Sequence, residues 1–163
     1  MVAAVTWREF EAAAPELARL AAARLDGRLA LLGTLRRDGS PRISPVEPVL
    51  AGGRLLFGVM VRSAKARDLA RDARCALHSA VSDPEGSEGE LKLYGRAEEV
   101  ADDAVRASRP EAWWASHPPA VARVLALHVL EAAFVSWHVE RGEMAVQRWS
   151  PARGCTRATR PYP

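Results

Sequence analysis

"LLGTLRRDGSPRISPV", residues 31–46, sets two strand-like runs around a tight turn. Asp38-Gly39 is a strong hairpin signal, because glycine accepts the positive φ that such turns demand. The run before it, "RLALLGTLR" at 28–36, is apolar but short for a helix. The run after it, "RISPVEPVL" at 42–50, carries Pro45 and Pro48. Prolines cannot donate to a ladder, so this strand belongs at an edge or pairs irregularly, with backbone groups left to meet a ligand.

Outward from this hairpin the same alternation continues. Gly52-Gly53 marks a second turn, "RLLFGVMV" (54–61) a third strand and "CALHSAVS" (75–82) a fourth, with a short helix over "SAKARDLARD" (63–72) between them. After the polar loop "DPEGSEGE" (83–90), "LKLYGRAEEV" (91–100) puts Leu91, Leu93, Gly95 and Ala97 on one face. On the N-terminal side, "TWREFEAAAPELARLAAARLDG" (6–27) reads as helix, with Thr6 and Glu9 at capping-box spacing, an interruption at Pro15 and a stop at Gly27. On the C-terminal side, "DDAVRASRPEAWWASH" (102–117) reads as helix up to Arg109, and "PAVARVLAL" (119–127) as a further turn or two. Strands at 130–140 and 143–151 follow, joined at Arg141-Gly142, and the tail 152–163 reads as irregular. The pattern predicts a mainly β protein with flanking helices: one antiparallel barrel domain over 1–163, its N-terminal helices in 1–27.

A chain of 163 residues suits one domain, and 26% charged residues with a net charge of +3 describe a globular protein. The charge excess reads as small and evenly spread, which argues against a nucleic-acid partner. No apolar run is long enough for a signal peptide or a membrane partner, and Cys75 and Cys155 lie too far apart for a metal motif. The expectation is a cytoplasmic protein with free thiols. His78, His117, His128 and His138 show no metal-ligand spacing, so the metal expectation is none. No serine sits in a nucleophile elbow, so no catalytic side chain is named; chemistry, if any, falls to a cofactor. Trp113-Trp114 suits either a cleft wall or packing.

The cation pattern supplies the functional lead. Arginine provides 21 of the 23 basic residues, and one of the two lysines, Lys65, stands at the second position of the helix that Ser63 caps. Arg62 and Arg67 bracket it. A helix N-terminus is already positive, so cations there cost about 0.3–1 kcal/mol unless an anion joins them. Free N–H groups with Lys65 and an arginine would make a phosphate site.

With "LLGTLRRDGSPRISPV", "RLLFGVMVRSAKARDLARDARCAL" and "LKLYGRAEEV" in this order, the chain resembles the pyridoxamine 5'-phosphate oxidase-like superfamily of flavin-binding split β-barrels. The resemblance implies an antiparallel split β-barrel that forms a homodimer, with two flavins at the subunit interface, each touched by both chains. It implies that FMN is the cofactor, with a deazaflavin coenzyme as the alternative. It assigns Ser63, Ala64 and Lys65 to the FMN phosphate, with Arg62 as a neighbouring cation. Arg42, Ile43, Ser44 and Val46 would lie along the ring and ribityl chain, and Gly58 and Val59 would face the cofactor. The chain also departs from the pattern. His138 and Arg141 lack the spacing of the oxidase's substrate-holding pair, Glu90 replaces an amide that donates to the flavin, and Ala64 replaces an arginine. The implied function is an FMN-binding oxidoreductase acting on a small molecule other than pyridoxamine phosphate. The alternatives are a deazaflavin-dependent reductase and a non-catalytic flavin-binding protein.

Overall fold

The computed structural model describes residues 3–83 and 85–162. Pro84, in the loop read at 83–90, and the outermost residues of the terminal segments lie outside them. Two helices open the chain. In α1 (Trp7–Ala13), Thr6 accepts from the Glu9 N–H at 3.3 Å while the Glu9 carboxylate accepts from the Thr6 N–H at 2.7 Å, closing the expected capping box. Pro15 starts α2 (Pro15–Leu25), where its missing N–H has no partner to lose.

Among the described residues nine antiparallel strands form one sheet. In chain order they are β1 (Ala30–Leu35), β2 (Pro41–Val46), β3 (Val49–Ala51), β4 (Arg54–Met60), β5 (Arg74–Ser79), β6 (Glu90–Glu99), β7 (Ala122–His138), β8 (Glu143–Ser150) and β9 (Gly154–Pro161). The strand path is β2-β1-β5-β6-β7-β4-β3, with β8 on β7 and β9 on β8. The hairpin read at Asp38-Gly39 joins β1 to β2 in the register Leu35 to Pro41, with Gly39 at φ +84°. The stretch 42–50 is two strands: it breaks at Glu47-Pro48, and β2 and β3 sit at opposite ends of the strand path. Two linking residues can span those ends only if the sheet rolls up on itself. α3 (Ala64–Arg71) joins β4 to β5, and α4 (Asp103–Ala107) precedes a 3₁₀ turn at Trp113–Ser116.

Two expectations are corrected. Residues 119–127 add no helix, because Ala122 onward enters the 17-residue β7, which pairs with β4, β6 and β8. The tail 152–163 is not irregular, because β9 pairs with β8 from Glu143–Pro161 to Ser150–Gly154. Among the described residues, no helix is long and apolar enough to cross a membrane.

The rolled sheet encloses a core of Leu32, Leu55, Phe57, Leu77, Leu91, Leu93 and Leu127, and α1 and α2 close one side with Trp7, Phe10, Leu17 and Leu25. Phe10 packs against Trp149 of β8 at 4.9 Å between ring centroids. A second cluster, Val49, Leu56, Trp114, Val124 and Ala126, lies on the other face of β4 and β7. β4 is therefore covered on both faces, which explains why its sequence is a continuous apolar run rather than an alternation.

Candidate functional site

Two clefts meet at the start of α3. Ser63 caps the helix, its hydroxyl accepting from the Ala66 N–H at 3.2 Å. The Lys65 ammonium reaches back to β2 and donates to the Pro45 carbonyl at 2.7 Å. Partial burial strips water from that ammonium and pulls its pKa below the ordinary lysine value. Lys65 and Ser63 form one end of a groove of about 390 Å³ whose walls include Val46, Gly58, Met60, Trp113 and Trp114. The wall is apolar apart from this end and Glu47.

The tryptophans reach the groove because two arginines pin their segment. Arg106 donates to the backbone carbonyls of Trp114 at 3.0 Å and Ala122 at 3.2 Å, and also to that of His117. Arg109 donates to the Leu50 carbonyl at 2.8 Å and to Asp26 at 3.1 Å. Trp114 is buried against β4, and Trp113 stays partly exposed, stacked on His117 at 4.4 Å. Gly58 permits this approach: a Cβ there would stand 3.0 Å from Cε3 of Trp114 and 3.1 Å from Cε3 of Trp113.

On the other side of Ala64 lies an open depression of about 830 Å³. Arg36 and Arg37 come from the β1–β2 hairpin, Arg42 from β2, and Arg67 and Arg71 from α3; among the described residues Asp38 and Asp68 are its acidic lining residues. Asp68 organises the interior, with its side chain 5% exposed. It accepts from Arg42 Nε at 2.7 Å, Thr34 Oγ1 at 3.0 Å and Arg71 Nη2 at 3.4 Å. Burial works against the carboxylate, yet the hydrogen bonds from Arg42 and Thr34 and the Arg42 charge outweigh it and hold the pKa below the ordinary aspartate value. Five guanidinium groups against two carboxylates leave an excess of three positive charges, equal to the net charge of the whole chain. The lining thus carries a local positive excess, and the other formal charges of the chain sum to zero.

Of the residues assigned from sequence, Arg42, Val46, Gly58, Ser63, Ala64 and Lys65 line these two clefts. Ile43, Ser44, Val59 and Arg62 line neither. Ile43 is 71% exposed and points to the face of β2 opposite Arg42, as the two-residue period of a strand requires. Val59 points into the core, and Ser44 is half-buried on the Arg42 side of β2. Arg62 is exposed and contributes its carbonyl, which accepts from Arg67 at 2.8 Å. Asp68, Thr34, Met60 and the hairpin arginines escaped the sequence reading. An acid inside an arginine-rich amphipathic helix was the available signal for Asp68.

Other reactive groups are paired or buried, apart from exposed residues such as Cys155 on β9. Glu90 pairs with Lys92 and lies 3.5 Å from His78, and His128 pairs with Glu98 at 2.9 Å. Burial pushes the Cys75 thiol up to about 12, which keeps it a protonated core residue. Among the described residues no three His, Cys, Asp or Glu side chains gather as a metal site.

The family model described as pyridoxamine 5'-phosphate oxidase matches residues 17–139. No curated protein matches the chain. Among solved structures, a heme-binding protein from Mycobacterium smegmatis is 21% identical with a TM-score of 0.61, covering 90% of this chain and 87% of its own. PhzG from Burkholderia lata 383, solved with tetrahydrophenazine-1-carboxylic acid, is 15% identical with a TM-score of 0.62, covering 94% and 92%. An F420 reductase is 19% identical with a TM-score of 0.52, covering 67% and 91%. At these identities the likeness is one of fold.

Proposed function

The chain belongs to the pyridoxamine 5'-phosphate oxidase family, and on that premise we propose that it is an FMN-binding oxidoreductase acting on a small organic molecule. The observation that carries this reading is the junction at Ser63–Lys65 of a tryptophan-lined groove with an arginine-lined depression. FMN joins a flat ring system to a phosphate dianion, so it needs an apolar wall at one end and cations at the other. The residues present fit that demand. Arg42 has its Nε held by Asp68, which leaves its two terminal nitrogens, unbonded to protein acceptors among the described residues, for a phosphate. Lys65 uses one of three donors on Pro45 and keeps two.

Bound FMN would supply hydride or electron transfer. The protein's part is to bind and orient: Arg42 and Lys65 neutralise the phosphate, and Trp113, Trp114 and Met60 exclude water from the groove. No side chain at the site is placed as an acid or base in that transfer. The departures at Ala64 and Glu90 argue for a substrate other than pyridoxamine phosphate. The fold likeness to an F420 reductase favours a deazaflavin as the second reading, since it too presents a ring and a phosphate.

Titration with FMN and with the deazaflavin, followed by visible absorption, tests the proposal. Lys65→Ala is expected to weaken binding of the preferred cofactor about ten- to hundredfold, the loss of one charge-assisted hydrogen bond of about 1.5–3 kcal/mol. Unchanged affinity would return Lys65 to a purely structural role. Because burial lowers its pKa, Lys65 loses its proton at a lower pH than an ordinary lysine. FMN affinity should therefore fall on raising the pH before the usual lysine range is reached. Lys65→Arg should abolish that fall, and riboflavin, which lacks the phosphate, should never display it.

A homodimer is part of the same proposal. The outer face of β2, β1, β5 and β6 aligns Ile43, Gly33, Ala76 and Tyr94 in one row, and Pro45, Leu31, His78 and Lys92 in the next. Ile43, Leu31 and Tyr94 are exposed there around two small residues, with His78 and Lys92 at one margin, a patch suited to a second copy. Ile43→Asp with Leu31→Asp is expected to convert a dimer to monomer in sedimentation experiments. A wild-type chain that sediments as a monomer would remove this element of the proposal.

A further inference from the structure

The arginine depression holds more positive charge than one phosphate monoester can balance. Such a group carries about −1.5 to −2 at neutral pH, against the excess of three on the lining. The positive groups also come from different elements. Arg42 of β2 is fixed through buried Asp68 of α3, while Arg36 and Arg37 stand in the β1–β2 hairpin. Neither Arg36 nor Arg37 makes a side-chain hydrogen bond or ion pair among the described residues. Asp38, next to them in the hairpin, has its carboxylate fixed by the turn: it accepts from the Ser40 N–H at 2.9 Å and hydroxyl at 2.6 Å. The Ser40 bonds, the hydroxyl's foremost, hold the Asp38 pKa down with a smaller contribution from the Arg36 charge, so this one acid offsets only part of the hairpin's two positive charges.

We infer that Arg36 and Arg37 form a second anion subsite beside Arg42, which takes a further phosphate or carboxylate carried beyond the first anionic group. The inference rests on the cofactor reading only for which molecule fills the first position. A concave site walled by a hairpin and a helix suits a compact small-molecule polyanion rather than a long, flat one. The second charge belongs either to an anionic tail on the cofactor or to the substrate.

Inorganic pyrophosphate and orthophosphate are the probes, titrated calorimetrically at low ionic strength against the flavin-free and the FMN-loaded chain. Pyrophosphate is expected to bind about tenfold tighter than orthophosphate, with that advantage lost in Arg36→Ser/Arg37→Ser. Arg157→Ser/Arg160→Ser on β9 removes the same charge elsewhere and should leave the advantage intact. If pyrophosphate displaces FMN, one ligand spans both positions and the second charge is the cofactor's. If it binds beside FMN, the charge is the substrate's. Equal binding of the two anions would overturn the subsite, as would equal loss in both double variants, which would mark a net-charge effect only. Failure of FMN to bind while pyrophosphate still shows its advantage would remove the flavin proposal and leave the subsite standing.

Discussion

Asp68→Ala is expected to lower the unfolding free energy by about 3 kcal/mol, the lower end of the roughly 3–5 kcal/mol lost when one member of a buried ion pair is removed. The carboxylate is buried, so its loss leaves Thr34 Oγ1 and the Arg42 Nε without their acceptor. Arg42 and Arg71 keep partial access to water, which softens the cost and sets the estimate low in the range. For a chain of this size that amounts to a fall of about 6–12 °C in Tm. The pH dependence has a definite sign. The folded-state pKa lies below the unfolded one, so the stabilisation is fully present above about pH 4 and fades as the pH falls through the folded-state value. Denaturant unfolding at pH 7 and at pH 3 should accordingly show wild type and variant converging in acid. A difference under about 1 kcal/mol at pH 7 would mean that the Arg42 anchor adds nothing to the fold.

Trp114→Ala is expected to cost about 3–5 kcal/mol, since it empties the largest fully buried side chain of the molecule. That side chain fills the cluster with Leu56, Val124 and Ala126 and backs one wall of the groove, so cofactor affinity should fall along with stability. Its Nε1 is buried and has no acceptor among the described residues. Trp114→Phe keeps most of the ring and deletes an unpaired donor whose burial costs about 1–3 kcal/mol, so it should destabilise far less than alanine. Chemical denaturation of both variants checks the pair. Equal damage from Phe and Ala would show that the ring volume Phe retains does not fill this cluster.

Local chemistry made much of the fold legible. The Thr6–Glu9 capping box, Pro15, Asp38-Gly39 and Gly52-Gly53 act within a few residues, and each stands where the sequence puts it. The errors came where distant pairing decides. "PAVARVLAL" is rich in Ala and Leu and favours helix by itself, yet β4 and β6 offer it two ladders, and strand wins. The tail carries no apolar alternation, and all of β9 is exposed; it is a strand because β8 presents an edge, which no local signal records. At the site, Lys65 was legible because a cation at a helix start is out of place. A resemblance transfers a strand as a whole, whereas its pleat divides neighbours between two faces, so Ile43 stands opposite Arg42. The local positive excess was hidden because Arg36 and Arg71 are far apart in sequence and meet only when α3 packs beside β1.

The triple pairing of β7 has a kinetic consequence. Its partners begin with β4, whose Leu55 meets Leu127 across 72 positions of chain, and no earlier strand can replace it between β4 and β6. A nascent chain emerging from the ribosome therefore carries β4 and β6 with open edges until residue 138 is free. Closing so long a loop is entropically slow, and open edges in the interval invite association with other chains. Folding of this protein should be a late, nearly all-at-once event. Released chains ending at residue 121 should be cut readily by protease, while released chains ending past 150 should resist.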